Sequence, residues 1–254
     1  MKIQWQVSKK DIELVQSLVK RHRKNPVVKD RFARNLRSDK PPVKKEQFWK
    51  SLVHCLLTTQ QPSGPKSLVN QFSKTSPFPL RFNLCLEKGK KLRMFTEKLI
   101  SKKGMRRNKV IATELEDNLC YLEENGGWKE TMAAVRNLQT NQTVECERDT
   151  AAFIIEHFNG FGPKQSRNLL QALGLTRYEI PLDSRITKWL NNDLGFPMRL
   201  SSKELGNLNY YNFVLDGFQK LCKQSGVYPC VLDAAIFVSF DKGEWKDEDM
   251  LSFT

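Results

Sequence analysis

Apolar positions recur at helical spacing along most of the chain, and no segment alternates as a strand would. Ile12, Val15, Leu18 and Val19 fall on one face of a segment from Lys9 to Arg23, which the Asn25–Pro26 pair is expected to break. Pro41–Pro42 reads as a linker, and Glu46 to Leu57 is apolar enough for a buried helix. A turn or helix start at Pro62 to Pro65 and a loop at Pro77–Phe78–Pro79 precede three further helices, Lys90 to Ser101, Lys109 to Glu124 and Trp128 to Leu138. The second of these ends near Gly126–Gly127. Ala152, Phe153, Ile155 and Phe158 give the period of a helix over Asp149 to Phe158. Ser184 to Leu194, an interrupted Ser202 to Lys223, and Pro229 to Phe240 complete the pattern. The predicted fold class is all-α, without internal repeats.

Between Phe158 and Ile186 the punctuation is unusually specific. Gly160 and Gly162 free the backbone for a tight turn. Pro163 suits the first position of a following helix, where no amide hydrogen is needed, and Gly174 suits its C-terminal cap. The result is a helix, a Gly-x-Gly hairpin and a second helix. A short loop then ends at Asp183, which opens a third helix.

Asn159-Gly-Phe-Gly-Pro-Lys-Gln-Ser-Arg-Asn-Leu-Leu, followed by Ile180-Pro-Leu-Asp-Ser-Arg-Ile, resembles the helix-hairpin-helix, Gly/Pro-Asp superfamily of DNA base-excision glycosylases. The resemblance is to its lysine-bearing branch, which includes endonuclease III and the 8-oxoguanine glycosylases. Lys164, two positions after the second glycine, and Asp183 match that branch's two functional residues. Phe48 to Gln61 is similar to the family's early helix ending in Leu-Ser-x-Gln, with Gln60 at the glutamine. Gly104 to Ile111 is similar to its Gly-x-x-x-x-Lys-Ala helix start, with Lys109 at the lysine. The likeness covers residues 46–200, and the basic N-terminus and the C-terminal portion match poorly. It implies two helical domains, 48–176 and a second from 1–47 with 177–254, with Lys164 and Asp183 facing each other across a cleft.

The implied chemistry is removal of a base from deoxyribose. The transition state has oxocarbenium character, which a carboxylate such as Asp183 stabilises. A deprotonated Lys164 amine attacks C1′, and the resulting Schiff base permits β-elimination, so one enzyme is both glycosylase and AP lyase. The backbone around Gly160, Phe161 and Gly162 is expected to grip a phosphate without reading sequence. Gln60 is expected to fill the gap left when the nucleotide is flipped out. Trp189, Phe196, Phe213 and Phe218 are candidates for stacking on the base, though core packing is the favoured reading of each. The leading substrate is 8-oxoguanine. The alternatives are an oxidised-pyrimidine glycosylase and a DNA-binding hairpin module without catalysis, which would need neither Lys164 nor Asp183.

Charge points the same way. The net charge is +14, with 15 Lys/Arg against 5 Asp/Glu in residues 1–50 and 10 against 2 in residues 86–109. Charge alone favours a polyanionic partner, with a solvated basic surface as the alternative, and the resemblance makes that partner double-stranded DNA carrying a damaged base, bound by a monomer. Met1 to Lys10 lacks the apolar core of a signal peptide, and no apolar run reaches transmembrane length. An intracellular location without membrane association is expected, in the cytoplasm and nucleoid or in the nucleus. The six cysteines form no Cys-x-x-Cys pair and read as reduced. Only Cys222 and Cys230 follow Asp183, too few for the iron-sulfur cluster of some relatives. The three histidines are scattered, so neither a metal nor another cofactor is expected.

Overall fold

The structure is a computed structural model that describes residues 4–62, 64–124, 126–241 and 245–250. All regular structure among these residues is helical. In chain order the α-helices are α1 (Lys9–His22), α2 (Pro26–Asn35), α3 (Lys45–Leu57), α4 (Leu68–Ser73), α5 (Phe82–Lys88), α6 (Leu92–Lys102) and α7 (Asn108–Glu123). They continue with α8 (Gly127–Thr140), α9 (Val144–His157), α10 (Pro163–Ala172), α11 (Ser184–Trp189), α12 (Leu208–Ser225) and α13 (Pro229–Phe240).

Local chemistry sets most boundaries. Ser8 caps α1 reciprocally with Asp11, whose amide donates to the Ser8 hydroxyl while its carboxylate accepts from the Ser8 amide at 2.8 Å. Asn25–Pro26 ends α1 but starts α2, because Asn25 accepts from the Val27 amide at 2.9 Å and Pro26 occupies the first helical position. α2 was not expected from the sequence, and neither were the short α4 and α5. α9 begins at Thr143, whose hydroxyl accepts from the Cys146 amide, six residues before the expected start. Asn207 caps α12 and marks the anticipated interruption.

Buried apolar side chains form two clusters. One runs from Phe48 to Leu175 and is built on α3, which packs against α7 and α10. The other joins Val15, Leu18 and Val28 from the first two helices to residues from Ile180 to Val238, with α13 packed against α1, α2 and α11. Each fully buried Leu or Phe contributes about 1.5–3 kcal/mol.

The chain passes between the clusters twice, after α2 and after α10, and one side chain ties the crossings together. The Lys40 ammonium donates to the carbonyls of Arg34 (3.0 Å), Asn35 (2.7 Å) and Gly174 (2.6 Å). Burial, with Arg177 nearby, lowers its pKa to about 8. Glu147 braces the second crossing, accepting from the amides of Arg177, Tyr178 and Glu179 at 2.7–2.8 Å. Burial raises its carboxyl to about 7 against the pull of those three donors.

Candidate active site

The hairpin between α9 and α10 needs its glycine. Gly160 has φ +85°, and a Cβ there would lie 2.7 Å from Leu56 Cδ2 and 2.8 Å from the Glu114 carboxylate. Gly162 is extended and forms the N-cap of α10, with Pro163 next. Among the described residues, the amides of Gly162, Lys164 and Gln165 find no protein acceptor, which leaves the helix start open to an anion. Phe161 is different. Its ring is buried against Phe158, and its amide donates to the Phe158 carbonyl at 3.3 Å. The open donors therefore exclude the Phe161 amide.

A cleft of about 910 Å³ lies beside α10. Lys164, Asn168 and Gln171 share one face of that helix at four- and three-residue spacing, and all three line the cleft. Asp183 lines it too, as N-cap of α11. One Asp183 oxygen accepts from the amides of Arg185 (2.8 Å) and Ile186 (3.0 Å), and the other from the Arg185 guanidinium (3.2 Å). That guanidinium sits 4.3 Å from the ring centroid of Phe237. Asp183 is thus an oriented carboxylate at a helix N-terminus, still 21% exposed.

Lys164 is half-buried, and its side chain makes no ion pair or hydrogen bond among the described residues. Its neighbour Cys55 is buried, and burial raises that thiol to about 12 despite the lysine's charge. Cys55 is therefore a neutral thiol beside the amine.

Gln60 lies at the end of α3, exposed and lining the same cleft. Its φ of +57° is left-handed, a conformation disfavoured for a side chain of this size. The adjacent Gln61 is committed elsewhere, donating to the Leu57 carbonyl at 2.7 Å and accepting from the Arg106 amide at 2.8 Å. Lys109 is exposed on the first turn of α7 and does not line the cleft.

A buried frame connects the starts of α10 and α11. Arg167 donates to the Pro163 carbonyl (3.0 Å), Glu179 (2.7 Å) and Asn212 (2.8 Å), and its guanidinium lies 4.6 Å from the ring centroid of Tyr211. The Tyr211 hydroxyl accepts from the Leu182 amide and donates to the Ile180 carbonyl, fixing the loop that delivers Asp183. Arg148 and Gln219 also donate to Glu179.

The expected stacking aromatics lie elsewhere. Trp189 and Phe218 are core, while Phe196 and Phe213 pack on Trp5 with centroids 5.0 and 4.7 Å away. The aromatic wall of the cleft is Phe237, Phe240 and Trp245. Asp233, one helical turn before Phe237, also lines the cleft. An aspartate within the Pro229–Phe240 segment, whose one other polar residue is Ser239, was the available signal for this wall. Among the described residues no group of three or more His, Cys, Asp or Glu is placed to hold a metal, and no helix is long and apolar enough to cross a membrane.

No protein-family model and no curated protein sequence matches the chain. Two solved structures share its fold. The 8-oxoguanine DNA glycosylase of Thermotoga maritima aligns with TM-score 0.63 at 14% identity, covering 92% of this chain and 100% of that one. The 8-oxoguanine glycosylase/lyase of Methanocaldococcus jannaschii, in complex with a 15mer DNA containing 8-oxoguanine, aligns with TM-score 0.57 at 14% identity, covering 91% and 99%.

Proposed function

We propose that this chain is a base-excision DNA glycosylase with AP-lyase activity, removing an oxidised purine, 8-oxoguanine, from double-stranded DNA. The observation that carries the reading is the convergence on one cleft of an unpaired amine, Lys164, and an oriented carboxylate, Asp183. A hairpin module that only grips DNA requires neither. Two structures of the same fold, named as 8-oxoguanine glycosylases, support the substrate class. We take the two apolar clusters as two domains, 48–176 and 1–47 with 177–254, in an intracellular monomer.

In this reading the open amides at the start of α10 hold a phosphate, and Gln60 enters the stack as the nucleotide leaves it. The neutral amine of Lys164 attacks C1′ while the C1′–N9 bond breaks, and the base departs with the electron pair and gains a proton. Asp183 stabilises the positive charge that develops on the sugar. The amine then sheds its proton, and the sugar ring opens to a C1′=N iminium as O4′ is protonated. Loss of a C2′ proton expels the 3′ phosphate with the C3′–O3′ electron pair.

The test is single-turnover base release from matched duplexes bearing 8-oxoguanine, thymine glycol or no lesion. Faster release of 8-oxoguanine is expected. Faster release of thymine glycol would move the chain to the oxidised-pyrimidine reading, and no release from any duplex would leave only a binding module.

A further inference from the structure

The end of α3, which carries Gln60 to the cleft, is held from α10 by a side chain that the chemistry at Lys164 and Asp183 does not use. Gln165 follows Lys164 and is 7% exposed. Its Nε2 donates to the Cys55 carbonyl at 2.8 Å and to the Thr59 hydroxyl at 2.6 Å, and its Oε1 accepts from Asn168 Nδ2 at 3.1 Å. Both amide hydrogens and the amide oxygen are therefore engaged.

These bonds take the place of one that α3 gives up as it ends. The Thr59 amide would continue the helix by donating to the Cys55 carbonyl, but it turns to Leu56 at 3.2 Å. The Cys55 carbonyl is left to side-chain donors: the hydroxyls of Thr58 at 2.9 Å and Thr59 at 3.3 Å, and Gln165. On the other side of Gln60, Gln61 caps the Leu57 carbonyl and accepts from the Arg106 amide. Gln60 thus stands between two anchored neighbours, Thr59 tied to α10 and Gln61 tied to the segment before α7. A left-handed backbone at a residue of this size persists only where its surroundings over-determine it. The two ties supply that constraint at φ +57°. Ending α3 does not itself require a donor from α10, because the two threonine hydroxyls already reach the carbonyl. What Gln165 adds is a fixed relation between Gln60 and the helix turn that carries Lys164.

We infer that Gln165 is a positioning residue that sets Gln60 in register with the Lys164 amine, so that the side chain entering the stack delivers the displaced nucleotide to the amine. The inference rests on the glycosylase reading and adds a coupling between its two ends.

The experiment is a double-variant cycle on single-turnover release of 8-oxoguanine from duplex DNA, using Gln165→Met, Gln60→Ala and the two combined. Gln165→Met keeps the bulk of the side chain and removes both donors. It should slow release by about tenfold or more, the scale of a small misplacement in a site. The combined variant should be within about threefold of the slower single variant, because Gln165 has nothing left to position once the Gln60 side chain is gone. A merely structural role would multiply the two losses instead. Unstacking gives an independent readout: 2-aminopurine placed beside the lesion should brighten less on binding Gln165→Met than on binding the wild-type protein. If Gln165→Met does not fold, Thr59→Val breaks the same tie from the other side, and its losses should combine with those of Gln60→Ala in the same way. Multiplied losses, or a Gln165→Met rate within about twofold of wild type, overturn the inference alone. If the wild-type protein releases no base and gives no borohydride-trapped adduct on abasic-site DNA, the glycosylase reading fails and the inference falls with it.

Discussion

Arg167 and Glu179 form an ion pair at 2.7 Å with both side chains essentially removed from solvent, at 1% and 0% exposure. The pair joins the two ends of the candidate site. Arg167 also holds the carbonyl of Pro163, next to Lys164, and Glu179 lies four residues before Asp183. Removing one partner of a buried pair costs about 3–5 kcal/mol when the other charge is left alone, and since Arg148 stays paired with Glu179 at 3.0 Å the lower end of that range applies here. Arg167→Met should therefore lower the unfolding free energy by roughly that amount in urea titration. In conditions where it stays folded, it should slow base release more than it weakens DNA binding. A variant with wild-type stability would mean that Arg148 and Gln219 satisfy Glu179 on their own.

Asp183→Asn keeps a side-chain oxygen for the amides of Arg185 and Ile186, so the α11 cap and the fold should survive. What is lost is negative charge beside the developing cation. Single-turnover base release should slow by about 10²-fold or more, the scale seen when a stabilising group is removed from a site. A rate within threefold of wild type would reduce Asp183 to a helix cap.

The left-handed backbone at Gln60 predicts opposite effects on stability and function. Gln60→Gly relieves a conformation costing about 1 kcal/mol, so the denaturation midpoint should rise. Base release from duplex DNA should nevertheless fall, and fall more than release from single strands, because the side chain that replaces the flipped base is gone. Equal losses on both substrates would argue against insertion into the stack.

Asp233 makes stability depend on pH in a definite direction. Its carboxyl is raised by burial from 3.8 in the unfolded chain to about 6 in the fold. Groups facing it are Arg31 on α2, Gln171 on α10, and Asp183 with Arg185 at α11; Tyr211 and Cys230 are also within electrostatic range. The folded protein thus binds this proton more tightly than the unfolded chain. Its contribution is fully present below about pH 3.8 and is lost as pH rises through about 6. The melting-temperature difference, wild type minus Asp233→Asn, should increase as pH falls from about 7.5 to about 5. A flat difference would mean that Arg31 holds the carboxylate ionised throughout.

The hairpin was legible in the sequence because backbone geometry dictates it: Gly160 must adopt positive φ, and Pro163 and Gly174 punctuate the helix between. Most long helices were legible for the same reason, since their buried faces repeat at 3.6 residues. α2 was hidden because Pro26 reads equally as a stop and as a first turn, and only the Asn25 cap decides between them. The aromatic cleft wall was not found in the sequence because a large apolar residue on a helix looks the same there whether it faces a core or a cavity. Phe213 and Phe237 differ only in what packs against them, Trp5 in one case and Trp245 in the other. The Arg167–Glu179 frame left no local signal, because its partners come from α9, α10, α12 and the loop between α10 and α11.

The central claim is that Lys164 forms a Schiff base with the sugar, and borohydride trapping on a duplex with a single abasic site tests it most directly. The wild-type protein should give a covalent protein–DNA band, and Lys164→Gln should give none while still shifting the same duplex in a binding assay. An undiminished band in Lys164→Gln, or no band from the wild-type protein, would contradict the account.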